Sequence, residues 1–266
     1  NTFDPQPGAQ ISIGEVPYEF ISHYLLPEDS ASIYVIEGQE GFIWPLHNLK
    51  DRTFWALKVL KPGYRSGRIA RATPILRDYI KISGFFLSRR ICLTRPEYEP
   101  LIATFPDLEY AILMPWLPWK TWAGLIRSPE ASATYTFQQA LDLAQITAQT
   151  LHELEQRDCA HTDIAGSNTM YRQDFKQIEL LDLEGLYAPG LPPPQQLSYG
   201  SPGYQHHRPG KHGQYSPYGD RFAGAILLTE MLTWWNPLIR GLTPPSAATL
   251  FQPEELQQSS GPRWQM

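Results

Sequence analysis

The sequence predicts an α+β protein of two lobes, a strand-rich front half followed by a mainly helical rear half. Three observations predict it. Residues 31–38 (ASIYVIEG), 53–60 (TFWALKVL) and 110–116 (YAILMPW) are short runs rich in β-branched and aromatic residues. From Thr136 onward, TFQQALDLAQITAQTLHEL carries helical spacing, and GDRFAGAILLTEMLTWW is apolar on nearly every face. A length of 266 residues suffices for a substantial core. The lobes are expected at 1–115, a sheet and one helix, and at 116–266, a set of helices truncated at its end.

The elements follow in chain order. In TFWALKVL, period-two alternation puts Phe54, Ala56 and Lys58 on one face and Trp55, Leu57 and Val59 on the other. A small residue two before a lysine leaves room above it for a flat ligand. Thr73 and Pro74 read as N-cap and first turn of the helix that follows. Thr136 and Gln139 have capping-box spacing, and Leu141, Ala144, Ala148 and Leu151 form the predicted apolar stripe. NTMYRQDFKQIELLD reads as a hairpin. The chain's 25 prolines cluster in LPPPQQLSYGSPGY and GLTPPSAATLFQP, which are therefore connecting loops.

Composition narrows the function. A net charge of -5 argues against nucleic acid as the main partner. The local basic stretch Arg65, Arg68, Arg71, Arg77 and Lys81 reads as a solvated helix face. Cys92 and Cys159 give neither a disulfide framework nor zinc spacing, so reduced thiols in a cytoplasmic protein are expected. His206, His207 and His212 read as a solvated loop, not a metal site. No basic-then-apolar leader opens the chain, and its apolar runs are too short to span a bilayer. Beginning at Asn and stopping after GPRWQM, the chain reads as a domain excised from a longer parent with other domains.

Residues 159–171 (CAHTDIAGSNTMY) and 180–185 (LLDLEG) place Asp163, Asn168 and Asp182 in otherwise apolar sequence, with Lys58 on a strand far upstream. Such a set has the components of phosphoryl transfer: a carboxylate to orient a nucleophile, an amide and a carboxylate to hold Mg²⁺, and a lysine for phosphates. Mg²⁺ prefers hard oxygens and keeps several waters, so Asn168 and Asp182 suffice beside the phosphates of a nucleotide.

HTDIAGSN resembles the catalytic loop of the protein kinase superfamily, H-x-D-x-x-x-x-N, and WALK resembles its V-A-I-K strand. DLEG stands where that family has D-F-G. GSPGY at 200–204 resembles the end of an activation segment, and DRFAGAILL from Asp220 resembles the start of the long central helix. YAILMPWL resembles the strand and hinge joining the lobes. The matches run in order from about residue 30 to 235. The resemblance implies a bilobal protein kinase-like fold using ATP and Mg²⁺, as in a divergent bacterial-type serine/threonine kinase. Asp163 would orient the acceptor hydroxyl, Asn168 and Asp182 would bind metal, and Lys58 would contact the nucleotide phosphates. His161 would be structural. Ala56 and Met114 would line the nucleotide pocket. Pro115 keeps its carbonyl and Leu117 its N–H, which suits adenine recognition at the hinge.

The chain also departs from that family. The phosphate-covering loop matches PEDSASIYV, with Ser30 and Ser32 where glycines would stand and Glu28 and Asp29 beside them. No glutamate lies between Lys58 and Glu97, so the expectation is that Lys58 pairs with Asp78, with Glu97, Glu99 or Asp182, or with no carboxylate at all. Thr162 replaces the arginine before the catalytic aspartate. Activity should therefore not depend on phosphorylation of Ser198, Tyr199, Ser201 or Tyr204. Ala165 replaces the catalytic-loop lysine, and HHR at 206–208 replaces A-P-E. Two alternatives accompany the kinase reading. One is a pseudokinase serving as a nucleotide-binding or scaffold module. The other is a small-molecule kinase of the aminoglycoside or choline type.

Overall fold

The computed structural model describes residues 3–22, 35–206, 214–243, 249–252 and 255–256. It is a mixed protein with an antiparallel sheet and several helices, in agreement with the α+β expectation. The chain divides into two compact units, Asn1–Ile80 with Phe86–Pro118, and Lys81–Phe85 with Trp119–Met266. The expected boundary lay after residue 115.

The first unit is built on strands β1 (Gln10–Ile13), β2 (Val16–Phe20), β3 (Ile36–Glu37), β4 (Gly41–Asn48), β5 (Phe54–Leu60), β6 (Ile91–Cys92) and β7 (Ile112–Pro115). Their order is β1-β2-β4-β5-β7-β6, with β3 paired to β4, and every pairing is antiparallel. The alternation expected in β5 is present. Leu57 and Val59 join Phe3, Phe20, Trp44, Leu46 and Leu113 in one buried cluster. Ala56 and Leu60 join Ile69, Ile112 and Met114 in another. A strand buried on both faces must carry apolar residues at nearly every position, and β5 does so except at Lys58. Of the strand expected at 31–38, only the two residues of β3 are found; residues 31–34, like Ser30 and Ser32, lie outside the described residues.

Helix α1 (Gly67–Arg77) starts seven residues before the expected point. Its N-cap is Ser66, whose Oγ accepts from the Arg68 N–H, so Thr73 and Pro74 lie inside the helix. Pro74 cannot donate to Ala70, but its ring is exposed, and Thr73 Oγ1 donates to the Ile69 carbonyl at 2.9 Å. The basic stretch is solvated only in part. Arg71, Arg77 and Lys81 are exposed, whereas Arg68 is buried and Arg65 pairs with Asp107 at 2.8 Å. Asp107 also accepts from the Phe3 N–H, and both donors hold its carboxyl below the usual range. A second helix, α2 (Arg95–Thr104), precedes β7.

The second unit contains α3 (Trp122–Arg127), α4 (Pro129–Thr134), α5 (Phe137–Glu155), α6 (Arg221–Thr233) and α7 (Pro237–Gly241). A small antiparallel sheet joins β8 (Lys120–Thr121), β9 (Thr169–Tyr171) and β10 (Ile178–Leu180), and β9–β10 is the expected hairpin. The capping box on α5 is complete: Thr136 Oγ1 accepts from the Gln139 N–H, and Gln139 Oε1 from the Thr136 N–H. The buried face of α5 is rotated from the predicted stripe. Ala140, Leu143, Ala144, Thr147, Thr150 and Leu154 face inward, while Leu141 and Ala148 are exposed. Two threonines on the inner face misled the reading; their hydroxyls donate to the Leu143 and Ile146 carbonyls, which removes the cost of burying them. No helix among the described residues is long and apolar enough to cross a membrane.

Candidate functional site

Within the second unit, the loop after α5 is hung from one buried carboxylate. Asp220, immediately before α6, accepts the His161 N–H at 2.5 Å and the Thr162 N–H at 2.7 Å. Burial pushes the Asp220 carboxyl up from its ordinary range, while His161 and these two N–H groups oppose the shift. Thr162 sits at φ 72°, a left-handed conformation costly for a β-branched residue. Its Oγ1 donates to the Gly185 carbonyl at 2.9 Å. A threonine held this way by two hydrogen bonds fixes the direction in which the next residue, Asp163, leaves the backbone.

Asp163 is met by two donors. Ser201 Oγ reaches Oδ1 and Asn168 Nδ2 reaches Oδ2, both at 3.0 Å. Asn168 Nδ2 also donates to the Asp163 carbonyl at 3.0 Å, so both amide hydrogens are directed at Asp163. That assignment turns Asn168 Oδ1 away from Asp163, as a hard-oxygen ligand requires; its close neighbour is Ser167 Oγ at 3.4 Å. The same loop holds the DLEG segment. The Leu181 N–H donates to the Asn168 carbonyl at 2.8 Å, and the Leu181 carbonyl lies 2.5 Å from His161 Nε2. Asp182 follows directly, at φ 55°. The structure thus brings Asp163 and Asn168 together and ties the segment bearing Asp182 to the same loop. His161 is buried, with its ring against the carbonyl of Leu181, next to Asp182.

In the first unit, Ala56 pairs with Met114 and Lys58 with Ile112 across β5 and β7. Met114 is buried, and Pro115 and Leu117 are half-buried just beyond. Lys58 is buried, and its Nζ forms an ion pair with Glu40 Oε2 at 2.9 Å. Glu40 stands outside the expected set of partners. Asp78 is the exposed C-cap of α1, Glu99 pairs with Arg95, and the residue found on Lys58 comes from the turn before β4. The stretch GQEG carried the only sequence signal, a glycine-bounded turn between strand-like runs, and nothing local shows which strand such a turn lies beside.

Sequence reasoning also missed Glu230. This α6 carboxylate is fully buried and accepts from Trp122 Nε1 at 3.0 Å, Tyr204 Oη at 2.5 Å and the Leu250 N–H at 2.6 Å. Burial pushes it up to about 7 despite these donors. Tyr204 of the GSPGY loop is therefore a core residue, and Ser201 is a direct neighbour of Asp163. Residues Ser30, Ser32, His207, Arg208 and His212 lie outside the described residues.

Comparison with protein-family models finds no match to this chain, and comparison with curated proteins finds none either.

Proposed function

We propose that the chain is an ATP- and Mg²⁺-dependent phosphotransferase, a divergent serine/threonine protein kinase-like domain of bilobal kinase fold. The observation that carries the reading is the Asp163–Asn168–Leu181 network. It presents a carboxylate, an outward amide oxygen and a second carboxylate-bearing segment on one braced loop. A braced carboxylate is suited to orienting a hydroxyl and taking its proton. Asn168 and Asp182 supply the hard oxygens that a hydrated Mg²⁺ accepts, and their donor chemistry fits that ion. When bound, Mg-ATP supplies the transferable phosphoryl group and the metal neutralises its charge.

The residues divide the remaining work. Asp163 holds the acceptor hydroxyl and receives its proton. Lys58 offers an ammonium to the phosphates, while Ala56 and Met114 leave space for a flat base and Pro115 and Leu117 offer it a backbone carbonyl and N–H. Ser201, bonded to Asp163, holds that carboxylate's orientation before an acceptor arrives.

Calorimetric titration with ATP, with and without Mg²⁺, tests the reading. Metal-dependent binding weaker than about -8 kcal/mol, the value for micromolar affinity, is expected because Glu28 and Asp29 add negative charge near the expected phosphates. Transfer of labelled γ-phosphate to the protein itself or to generic protein acceptors is expected with it. Binding without any transfer would identify a pseudokinase, and transfer to small alcohols alone would identify a small-molecule kinase.

A further inference from the structure

A lysine buried in a sheet needs a counter-charge held as firmly as itself, because removing an ammonium from water is costly. In enzymes that use such a lysine on phosphates, the aim of the ammonium matters as much as its charge. The face of β5 that carries Ala56, Lys58 and Leu60 clusters with Ile69 of α1, yet α1 has no acidic residue within its bounds. Its C-cap Asp78 is exposed.

The carboxylate comes instead from the β3–β4 hairpin. The turn is closed by the Gly38 N–H donating to the Gly41 carbonyl at 2.8 Å. Glu40's own carbonyl accepts from the Lys61 N–H at 2.8 Å, so its backbone is pinned beside the end of β5. Gly41 has no freedom to become anything larger: a Cβ there would lie 2.3 Å from the Val59 carbonyl oxygen. Lys61 adds a second brace, with Nζ on Glu37 Oε1 at 2.8 Å and on the Gly38 carbonyl at 3.0 Å. The Glu37–Lys61 pair is largely solvated and contributes little by itself. The Lys58 side chain, by contrast, is only 4 % exposed at its 2.9 Å contact with Glu40. The turn is thus fixed by backbone bonds and a steric fit, and Glu40 on it forms an ion pair with the buried Lys58.

We propose that Glu40 is the positioning residue for Lys58 in the phosphotransfer reading above, on which this inference rests. The aim of the lysine is set within the sheet, by a hairpin turn, and is independent of carboxylates on α1. Glu40 fixes the ammonium at the place where a nucleotide's phosphates must meet it, so its loss should affect turnover more than binding.

The test uses Glu40→Gln, Glu40→Asp and Asp78→Asn in the full chain. Glu40→Gln is expected to leave Mg-ATP affinity within about threefold and to lower the transfer rate by about tenfold or more. Glu40→Asp should recover part of that loss, and Asp78→Asn should match the parent. A second readout needs no nucleotide: acetylation of Lys58 by an N-hydroxysuccinimide ester, followed by peptide mass spectrometry. Freed of Glu40, Lys58 should acetylate several-fold faster in Glu40→Gln, with the other lysines as internal standards. Transfer in Glu40→Gln equal to the parent would overturn the inference and leave the phosphotransfer reading standing. Unchanged Lys58 acetylation would overturn the pairing itself. A parent protein that neither binds Mg-ATP nor transfers phosphate would refute the phosphotransfer reading and the role of Glu40 with it, whereas the acetylation result would still report the pair separately.

Discussion

Two buried carboxylates on α6 and its N-terminal edge decide much about the second unit, and they act in the same direction with pH. Asp220 draws the left-handed Thr162 and its neighbour into place, and Glu230 gathers Tyr204, Trp122 and Leu250. Both are raised above their ordinary range, Glu230 from 4.5 to about 7, with burial the largest cause in each. A carboxyl raised in the folded state contributes stability that is complete below its unfolded value and is lost as pH rises through its folded value. For Glu230 that window runs from 4.5 to about 7. The stability of the parent relative to Glu230→Gln should fall across it by up to about 1.4 kcal/mol per pH unit. Above the window the difference should be flat. Denaturant titrations of both proteins at several pH values measure this; a difference that does not change with pH would show that Glu230 does not titrate there. Asp220 is present in both proteins and cancels in the comparison. Neither carboxylate was given this role from sequence, because a buried acid and a solvated one look alike until the chain is folded around them.

At the scale of elements, local signals were read well and competing local signals were not. The capping box on α5, the β9–β10 hairpin and the alternation in β5 each depend on residues a few positions apart, and each is present. In α1, Thr73–Pro74 is a stronger start signal than Ser66–Gly67, yet the helix begins at the weaker one. Packing explains the choice, since starting at Gly67 lets Ile69, Ala72, Thr73 and Leu76 all be buried. Pro74 is the residue that loses by it. Pro74→Ala restores a donor to the Ala70 carbonyl but also frees the unfolded chain, and the two effects oppose each other. A net gain of about 2 kcal/mol in unfolding free energy is expected, since an interior helix proline costs about 3 kcal/mol and the unfolded-state effect is up to about 1 kcal/mol. Chemical denaturation checks it, and a loss of stability would mean that Pro74 is better accommodated than its position implies.

For the whole molecule, the proximity of Asp163 and Asn168 and the tie to the segment bearing Asp182 were legible because these residues are close in sequence and their neighbours obey local rules. The partner of Lys58 was not legible. Glu40 lies on the far side of a hairpin, and only strand register reveals that its turn ends beside β5. The central claim is that the braced loop of the second unit divides its labour between metal and acceptor. It is tested most directly by measuring Mg-ATP affinity and transfer rate side by side in the parent, Asp163→Asn and Asp182→Asn. Asp163→Asn should keep the parent's Mg-ATP affinity and lose about a hundredfold or more in transfer, the scale of a missing general base or orienting group. Asp182→Asn should weaken Mg-ATP binding itself, because the cation loses a charged ligand. Two variants that change melting temperature alone, with affinity and transfer moving together or not at all, would contradict the account.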